Sequence, residues 1–324
     1  MKALIFERYG LPEKVLKLSE QATPVPEDNE VLVKIRCTAI NDYDWSLVRG
    51  KPYLYRLMFG LTKPKSKIMG MELSGTVVQV GAKVKDFVLG DEVFGDTSNH
   101  GFGTFAEYIC IHQDALAHKP KSMSFESAAA LPHAALLALQ GLKAIGKIKE
   151  GMKVLINGAG GGVGTLALQL AKMYACEVTG VDNKEKLTML KAMGYDHVID
   201  YNTEDFTQNG LQYDLILDCK TNKSPFAYYR ALKPEGKYVS IGGNLNDLIW
   251  VLIWGKLLLP FSNKKLNILS LKPNVGLEEI ATLYDNKQLK PVIDGPYPLE
   301  STAEKLQLFG EGKHKGKVII AIQS

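Results

Sequence analysis

With 324 residues, 46% of them hydrophobic and 23% charged, the chain suits two domains and can bury a substantial core, which excludes a disordered protein. Lys and Arg number 39 against 35 Asp and Glu, a net charge of +4 at pH 7. That excess is too weak and too evenly spread to imply a nucleic-acid surface.

In chain order, the N-terminal apolar run at residues 3–6 stops at Glu7 and Arg8, so no signal-peptide core is read there. Cys37, Cys110, Cys176 and Cys219 form no close pair, which suggests neither a disulfide framework nor a zinc knuckle. A cytoplasmic location is the resulting expectation. The first 120 or so residues read as β-rich. EVLVKIRCTA at Glu30–Ala39 alternates apolar and polar residues as a half-buried strand does, and residues 73–80, 91–94 and 104–111 continue the pattern. Glycines at 70, 75, 81, 90 and 95 punctuate it, and short strands with close turns predict a compact barrel-like domain. Residues 124–146 turn Ala/Leu-rich and helical, opening at Ser124. From Lys153 the texture changes again. Short apolar strands at 154–157, 177–181, 197–199, 214–217, 237–241 and 267–271 alternate with amphipathic stretches such as 184–193 and 225–232. Six strands with intervening helices predict a doubly wound parallel sheet. A helix at 276–286 and a last strand at 317–322 follow. Residues 248–261 (LIWVLIWGKLLLPF) are apolar but interrupted by Lys256 and Pro260. A bilayer span takes about 20 apolar residues, so a buried or interface helix is expected in preference to membrane-surface contact.

The sharpest local signal is VLINGAGGGVGTLALQLAK at 154–172. A strand enters Gly158, Ala159, Gly160, Gly161, Gly162, Val163 and Gly164, and a helix leaves at once. Glycines permit the tight turn and a close approach of pyrophosphate to the backbone, while the helix N-terminus offers unpaired N–H groups. Gly161 and Gly164 hold the spacing of the last two fingerprint glycines, with Ala159 in place of the first. Asp182 ends the next strand, where a carboxylate accepts hydrogen bonds from the adenosine ribose and repels a 2′-phosphate. That leans the cofactor toward NAD. Lys184 and Lys186 follow directly, and either reads as a surface charge or as a phosphate partner, so NAD and NADP both stay open.

Six blocks in order, GMELSGTVVQVGAKVKDFVLGDEV (70–93), GTFAEY (103–108), AAALP (128–132), GAGGGVGTLALQLAK (158–172), GYDHVIDY (194–201) and GKVII (316–320), give the chain its family likeness. It resembles the zinc-independent quinone oxidoreductase branch of the medium-chain dehydrogenase/reductase superfamily. The resemblance implies an α/β protein with a GroES-like β-barrel domain built from both termini and an inserted Rossmann domain. The expected bounds are 1–124, 125–270 and 271–324, with a hydride-transfer cleft at the junction and a homodimeric assembly. Zinc-dependent relatives hold zinc with a Cys where this chain has Asn41 and a His where it has Met71. Neither is a plausible zinc ligand, and no cysteine falls in the structural-zinc region between about Asp91 and Tyr108. No metal is therefore expected. Without a Lewis acid, the resemblance implies hydride transfer from NAD(P)H to acceptors that carry their own electron sink, quinones or α,β-unsaturated carbonyls.

Candidate residues for the reacting end come from the loop at 41–45 (NDYDW). Asn41 is either an oxyanion donor or a turn residue. Asp44 matches an acidic family position and is read as fixing the loop rather than moving a proton. Tyr43 and Tyr53 are possible phenolic donors that packing could equally explain. Glu72, lacking a metal, is expected to pair with a nearby cation or buried donor, and His133 reads more plainly as a helix histidine than as a functional one. Leu137 stands where many relatives carry a threonine near nicotinamide, which puts that contact in doubt. Tyr201, the turn Ile241, Gly242 and Gly243, and Leu271 match positions that contact the dinucleotide. Alternatives from the same residues are a zinc-free alcohol dehydrogenase or an enoyl-thioester reductase, the latter drawing on Arg49, Lys51, Arg56, Lys63, Lys65 and Lys67. A third is a dinucleotide-binding regulatory or membrane-associated protein with little turnover.

Overall fold

A computed structural model describes residues 1–258 and 262–322. The chain divides into two compact units, Met1–His133 with Pro273–Ser324, and Ala134–Lys272. The division falls inside a helix that the AAALP block opens.

The first unit begins with β1 (Lys2–Ile5), α1 (Pro12–Val15), β2 (Lys17–Glu20) and the long β3 (Glu30–Ala39). Helices α2 (Asp42–Arg49) and α3 (Leu54–Phe59) precede β4 (Glu72–Val80), β5 (Glu92–Asp96), β6 (Tyr108–His112) and β7 (Ala117–His118). The alternation read in β3 holds only in part: Val31, Val33 and Ile35 are fully buried, but Leu32, Cys37, Thr38 and Ala39 are buried as well, and the strand pairs antiparallel with both β4 and β6.

The Ala/Leu-rich run is not one helix. It splits into α4 (Phe125–Ala130) and α5 (Pro132–Leu139) and ends in a π-helical turn at Gln140–Gly146. Pro132 lacks the N–H that would continue α4. Ser124 caps α4, accepting the Ser127 N–H on its hydroxyl at 3.2 Å, as a serine at that position should.

The second unit then runs β8 (Lys153–Asn157), α6 (Gly162–Lys172), β9 (Glu177–Asp182), α7 (Lys184–Met193), β10 (His197–Asp200) and β11 (Tyr213–Asp218). It closes with α8 (Pro225–Ala231), β12 (Leu232–Ser240), α9 (Leu245–Leu258) and β13 (Lys265–Ile268). The sheet order is β10-β9-β8-β11-β12-β13, every pair parallel. This is the doubly wound sheet, and its order reverses between β8 and β11, where such sheets bind ligands at the carboxyl ends of their strands. Leu155, Val181, Ile216, Tyr228 and Tyr238 form its core.

The apolar stretch falls on α9, which is not a buried helix. Val251 is fully buried, while Ile249, Trp250, Leu252, Ile253 and Leu257 are 42–53% exposed; positions 259–261 of the apolar stretch lie outside the described residues. Among the described residues no helix is long and apolar enough to cross a membrane.

The chain returns to the first unit through α10 (Leu277–Asp285), β14 (Ile293–Pro298), α11 (Thr302–Gly310) and β15 (Lys317–Ala321). Strand β15 pairs antiparallel with β3 and parallel with β14. Strand β14 escapes sequence pattern because Gly295 and Pro296 read as a turn; they fall in a register shift between Asp294 and Tyr297.

Candidate functional site

The glycine turn lies between β8 and α6. Gly158 has φ +86°, a left-handed conformation that costs glycine nothing and a side chain much. Gly164 is needed for a different reason: a Cβ there would stand 2.5 Å from the carbonyl oxygens of both Ala159 and Gly158. The turn is braced from behind by Tyr195, a buried residue whose hydroxyl donates to the Gly164 carbonyl at 2.9 Å. Gly161 is the N-cap of α6, and the Thr165 N–H bonds its carbonyl. The amides of Gly162, Val163 and Gly164 therefore have no intrahelical acceptor. Gly161, Gly162 and Val163 are only half-buried, and the first turn carries no acidic side chain. Partly open amides on a helix N-terminus fit a pyrophosphate in charge and donor type.

Asp182 ends β9 and is buried rather than held out to solvent. One oxygen accepts the Gly160 N–H and the other the Asn183 N–H, both at 2.8 Å. Lys186 on α7 approaches it at 3.5 Å, and both side chains are under a tenth exposed. The pair is electrically neutral and lies against the glycine turn: a Cβ on Gly160 would meet Lys186 Cδ at 2.6 Å. A bare carboxylate would favour NAD, whereas here a lysine shares the position. Tyr201 follows β10, 56% exposed, with its N–H on the Asp182 carbonyl at 3.2 Å. Ile241 donates its N–H to the Asp218 carbonyl at 2.9 Å, opening the Gly242–Gly243 turn. Leu271 is half-buried beyond the end of β13, and Leu137 is buried in α5.

In the first unit, side chains from β3's end, β4, β5, α5 and β15 make one buried polar cluster. Glu72, fully buried, stands at its centre. Lys317 Nζ lies 2.5 Å from Glu72 Oε2 and donates to Asn41 Oδ1 at the same distance. Asn41 Nδ2 donates to Glu72 Oε2 at 2.8 Å, and the His133 main-chain N–H to Glu72 Oε1 at 2.6 Å. The His133 ring in turn places Nδ1 2.7 Å from Asp96 Oδ2. The cation expected for Glu72 is thus Lys317, and the histidine read as ordinary has its ring against the Asp96 carboxylate.

Asn41 is also the N-cap of α2, and Asp44 locks that cap. Its carboxylate accepts the Asn41 N–H at 2.8 Å and the Gly70 N–H at 2.9 Å. Burial pushes the Asp44 carboxyl up to about 7, against the downward pull of those two N–H groups and of Lys317, with Glu72 adding to the rise. Burial also pushes Asp96 up, but the hydrogen bond and charge of His133 together with Ser98 outweigh it and hold the carboxyl below its ordinary value.

Tyr43 and Tyr53 lie apart from this cluster. Tyr43 is 40% exposed and stacks on Tyr55 at 6.2 Å, and Tyr53 is 66% exposed beneath the Arg56 guanidinium.

Residues 27–121 match the alcohol dehydrogenase GroES-like domain family, and residues 193–320 match the zinc-binding dehydrogenase family. A chloroplastic quinone-oxidoreductase homolog of Spinacia oleracea is 32% identical over 99% of this chain and 98% of its own length. The chain belongs to the quinone oxidoreductase branch of the medium-chain dehydrogenase/reductase superfamily. A chloroplastic NADPH-dependent alkenal/one oxidoreductase of Arabidopsis thaliana is 30% identical over 99% of this chain and 79% of its own length. The structure of the quinone oxidoreductase from Coxiella burnetii superposes with a TM-score of 0.88 at 28% identity, covering 100% of this chain and 99% of that one. The barrel-plus-parallel-sheet architecture is therefore that of the superfamily. Lys317 and Tyr195 are the residues sequence reasoning passed over, and His133 is one it reads as an ordinary helix histidine. Lys317 and Tyr195 stand inside the GKVII and GYDHVIDY blocks, and His133 directly follows AAALP.

Proposed function

We propose that this protein is a zinc-independent, NAD(P)H-dependent reductase of quinones or α,β-unsaturated carbonyls. The observation that carries the reading is the Lys317 ammonium, 2.5 Å from both Asn41 Oδ1 and Glu72 Oε2. A resident organic cation holds the carboxylate beside the family's metal position, and a second cation there would face like-charge repulsion in a buried site. Asn41 offers an amide and Met71, fully buried, a thioether, neither a zinc ligand of the usual kind. Without metal polarisation, an acceptor must carry its own electron sink, which is the property shared by quinones and enones and by the substrates that the relatives' names state.

A bound nicotinamide coenzyme supplies the hydride. The α6 amides of Gly162, Val163 and Gly164 would hold its pyrophosphate. Asp182 and Lys186 would face its adenosine ribose, and Tyr201, Ile241, Gly242, Gly243 and Leu271 would line the rest. With its carboxamide committed to Glu72 and Lys317, Asn41 acts by positioning: it fixes the start of α2 and keeps the ammonium in place. Asp44 holds the same loop through two backbone N–H groups.

The test is a binding titration with NADH and with NADPH, followed by steady-state oxidation of the bound coenzyme with 1,4-benzoquinone, an enone and a crotonyl thioester. Turnover of the first two acceptors is expected. Failure to bind either coenzyme, or turnover confined to simple alcohols, contradicts the reading.

A further inference from the structure

Residues 45–71 carry six cations, Arg49, Lys51, Arg56, Lys63, Lys65 and Lys67, and no acidic residue. Over the whole chain the two signs are nearly balanced, 39 to 35, so this run concentrates one of them. Within it Leu54, Leu57, Met58 and Leu61 follow the i, i+3, i+4, i+7 spacing of a single helix face. A core-facing stripe would be buried. Here the four side chains are 48–66% exposed, and Tyr53 next to them is 66% exposed.

The other face of α3 is the one that packs. Tyr55 and Phe59 lie against the core of the first unit, with Phe59 edge-on to Phe102 at 5.8 Å. Arg56 Nε donates to the Gly50 carbonyl at 3.0 Å, and its guanidinium stands over the Tyr9 ring at 4.5 Å. Beyond the helix, the Tyr9 hydroxyl donates to the Gly60 carbonyl at 2.6 Å and the Lys65 N–H to the Phe59 carbonyl at 2.8 Å. The apolar row is thus held outward by what anchors the opposite side. Lys65 Nζ donates to the Met58 carbonyl at 3.0 Å, which puts an ammonium at the C-terminal end of the row. Lys63 is exposed two positions before it, and Lys51 is exposed ahead of the helix. Among the described residues, Lys67 with Glu7 at 3.1 Å is the one carboxylate pair that the six cations make.

We propose that α3 and the loop to Lys67 dock on an anionic phospholipid surface. Leu54, Leu57, Met58 and Leu61 enter the boundary of the acyl region, Tyr53 sits at headgroup level, and Lys51, Lys63 and Lys65 meet phosphate oxygens. Charge selects this occupant. A second copy docked face to face about a two-fold axis would bring the same lysines together, whereas an anionic bilayer presents the opposite sign across the whole patch. The exposed apolar residues of α9 lack such a flank within their helix, where Asp247 balances Lys256. Docking needs neither coenzyme nor acceptor, so its test is independent of the reductase reading.

The experiment is co-flotation of the full chain with vesicles of phosphatidylcholine, or of phosphatidylcholine and phosphatidylglycerol in equal parts, at low and high salt. Wild type is expected to float with the mixed vesicles, far less with phosphatidylcholine alone, and less again at high salt. Leu57→Ser combined with Met58→Ser should lower partitioning at least about 10-fold through lost apolar burial. Lys63→Ser combined with Lys65→Ser should lower it about 10–30-fold on the mixed vesicles and leave phosphatidylcholine unaffected. Met58→Trp should bind more tightly, with a blue shift in emission, relative to wild type, that places residue 58 in the apolar layer. The proposal is overturned if wild type does not float with the mixed vesicles, if either double variant binds them as wild type does, or if the Met58→Trp emission stays unshifted. Self-association without vesicles that Leu57→Ser with Met58→Ser abolishes would also overturn it, and would give the face to a second copy.

Discussion

The turn from Gly158 to Gly164 offers a ligand its backbone, whereas the cluster around Glu72 is made almost entirely of side chains. In the turn, the absence of Cβ atoms creates the shape, and what stabilises it is short-range: Tyr195 behind the helix and Asp182 beneath Gly160. In the cluster, charges are removed from water and survive only because each has a partner. Damage should therefore spread differently. A change in the turn strains packing and costs coenzyme affinity, while a change in the cluster leaves a buried charge alone and costs the fold itself.

The largest expected effect breaks the cluster. Lys317→Met strands the Glu72 carboxylate, and the unfolding free energy in urea should fall by about 3–5 kcal/mol. Adding Glu72→Gln should restore much of it, because the lone charge is then gone. Equal losses in the single and double variants would show that the ion pair is not what the lysine contributes.

Gly164→Ala probes the other region. Its Cβ would meet two carbonyl oxygens at 2.5 Å, so a loss of about 1–3 kcal/mol from overpacking is expected. Affinity for both coenzymes should fall at the same time, read by titration. Normal affinity would mean that the turn yields without cost and that its shape is not the binding determinant.

Asp182→Ala sharpens the comparison inside the turn, where one charge pair is present. It removes the carboxylate partner of Lys186 and the proposed ribose acceptor together, so NADH should weaken against NADPH by about 1–3 kcal/mol. An unchanged preference would remove the pair from cofactor choice.

A further effect is read in the pH dependence of stability. Asp44 titrates near about 7 in the fold, above its unfolded range near about 3.9. Between those values the unfolded chain has lost a proton that the native state retains. Stability from this group is complete below the lower value and is lost as pH rises through the upper one. Stability measured from pH 4 to 8 should decline more in wild type than in Asp44→Asn, and parallel curves would contradict the assignment.

The turn is legible in sequence because strand, glycines and helix are contiguous, and local geometry forces the residue types. The cluster is legible only in part. A metal-free Glu72 demands a cation, but Lys317 reaches Asn41 across 276 positions, brought there by the pairing of β15 with β3. No local pattern encodes that register. His133 was hidden by the Ala/Leu run around it. The break at Pro132, which places its N–H in the first turn of a new helix and so frees it for Glu72, is the signal that the reading as an ordinary helix histidine left unused. Asp182 was legible as an acidic strand end, yet its commitment to Gly160 depends on how the turn folds back over β9. Strand β14 was lost to a Gly-Pro pair that usually marks a turn.

In the proposed function, a lysine-held, metal-free site reduces acceptors that are already polarised. This is tested most directly by product analysis of an α,β-unsaturated ketone incubated with NADPH and protein whose zinc content has been measured. The saturated ketone, formed at full rate by protein without stoichiometric zinc, is the expected result. An allylic alcohol as product, or activity that appears only when zinc is restored, would contradict the account.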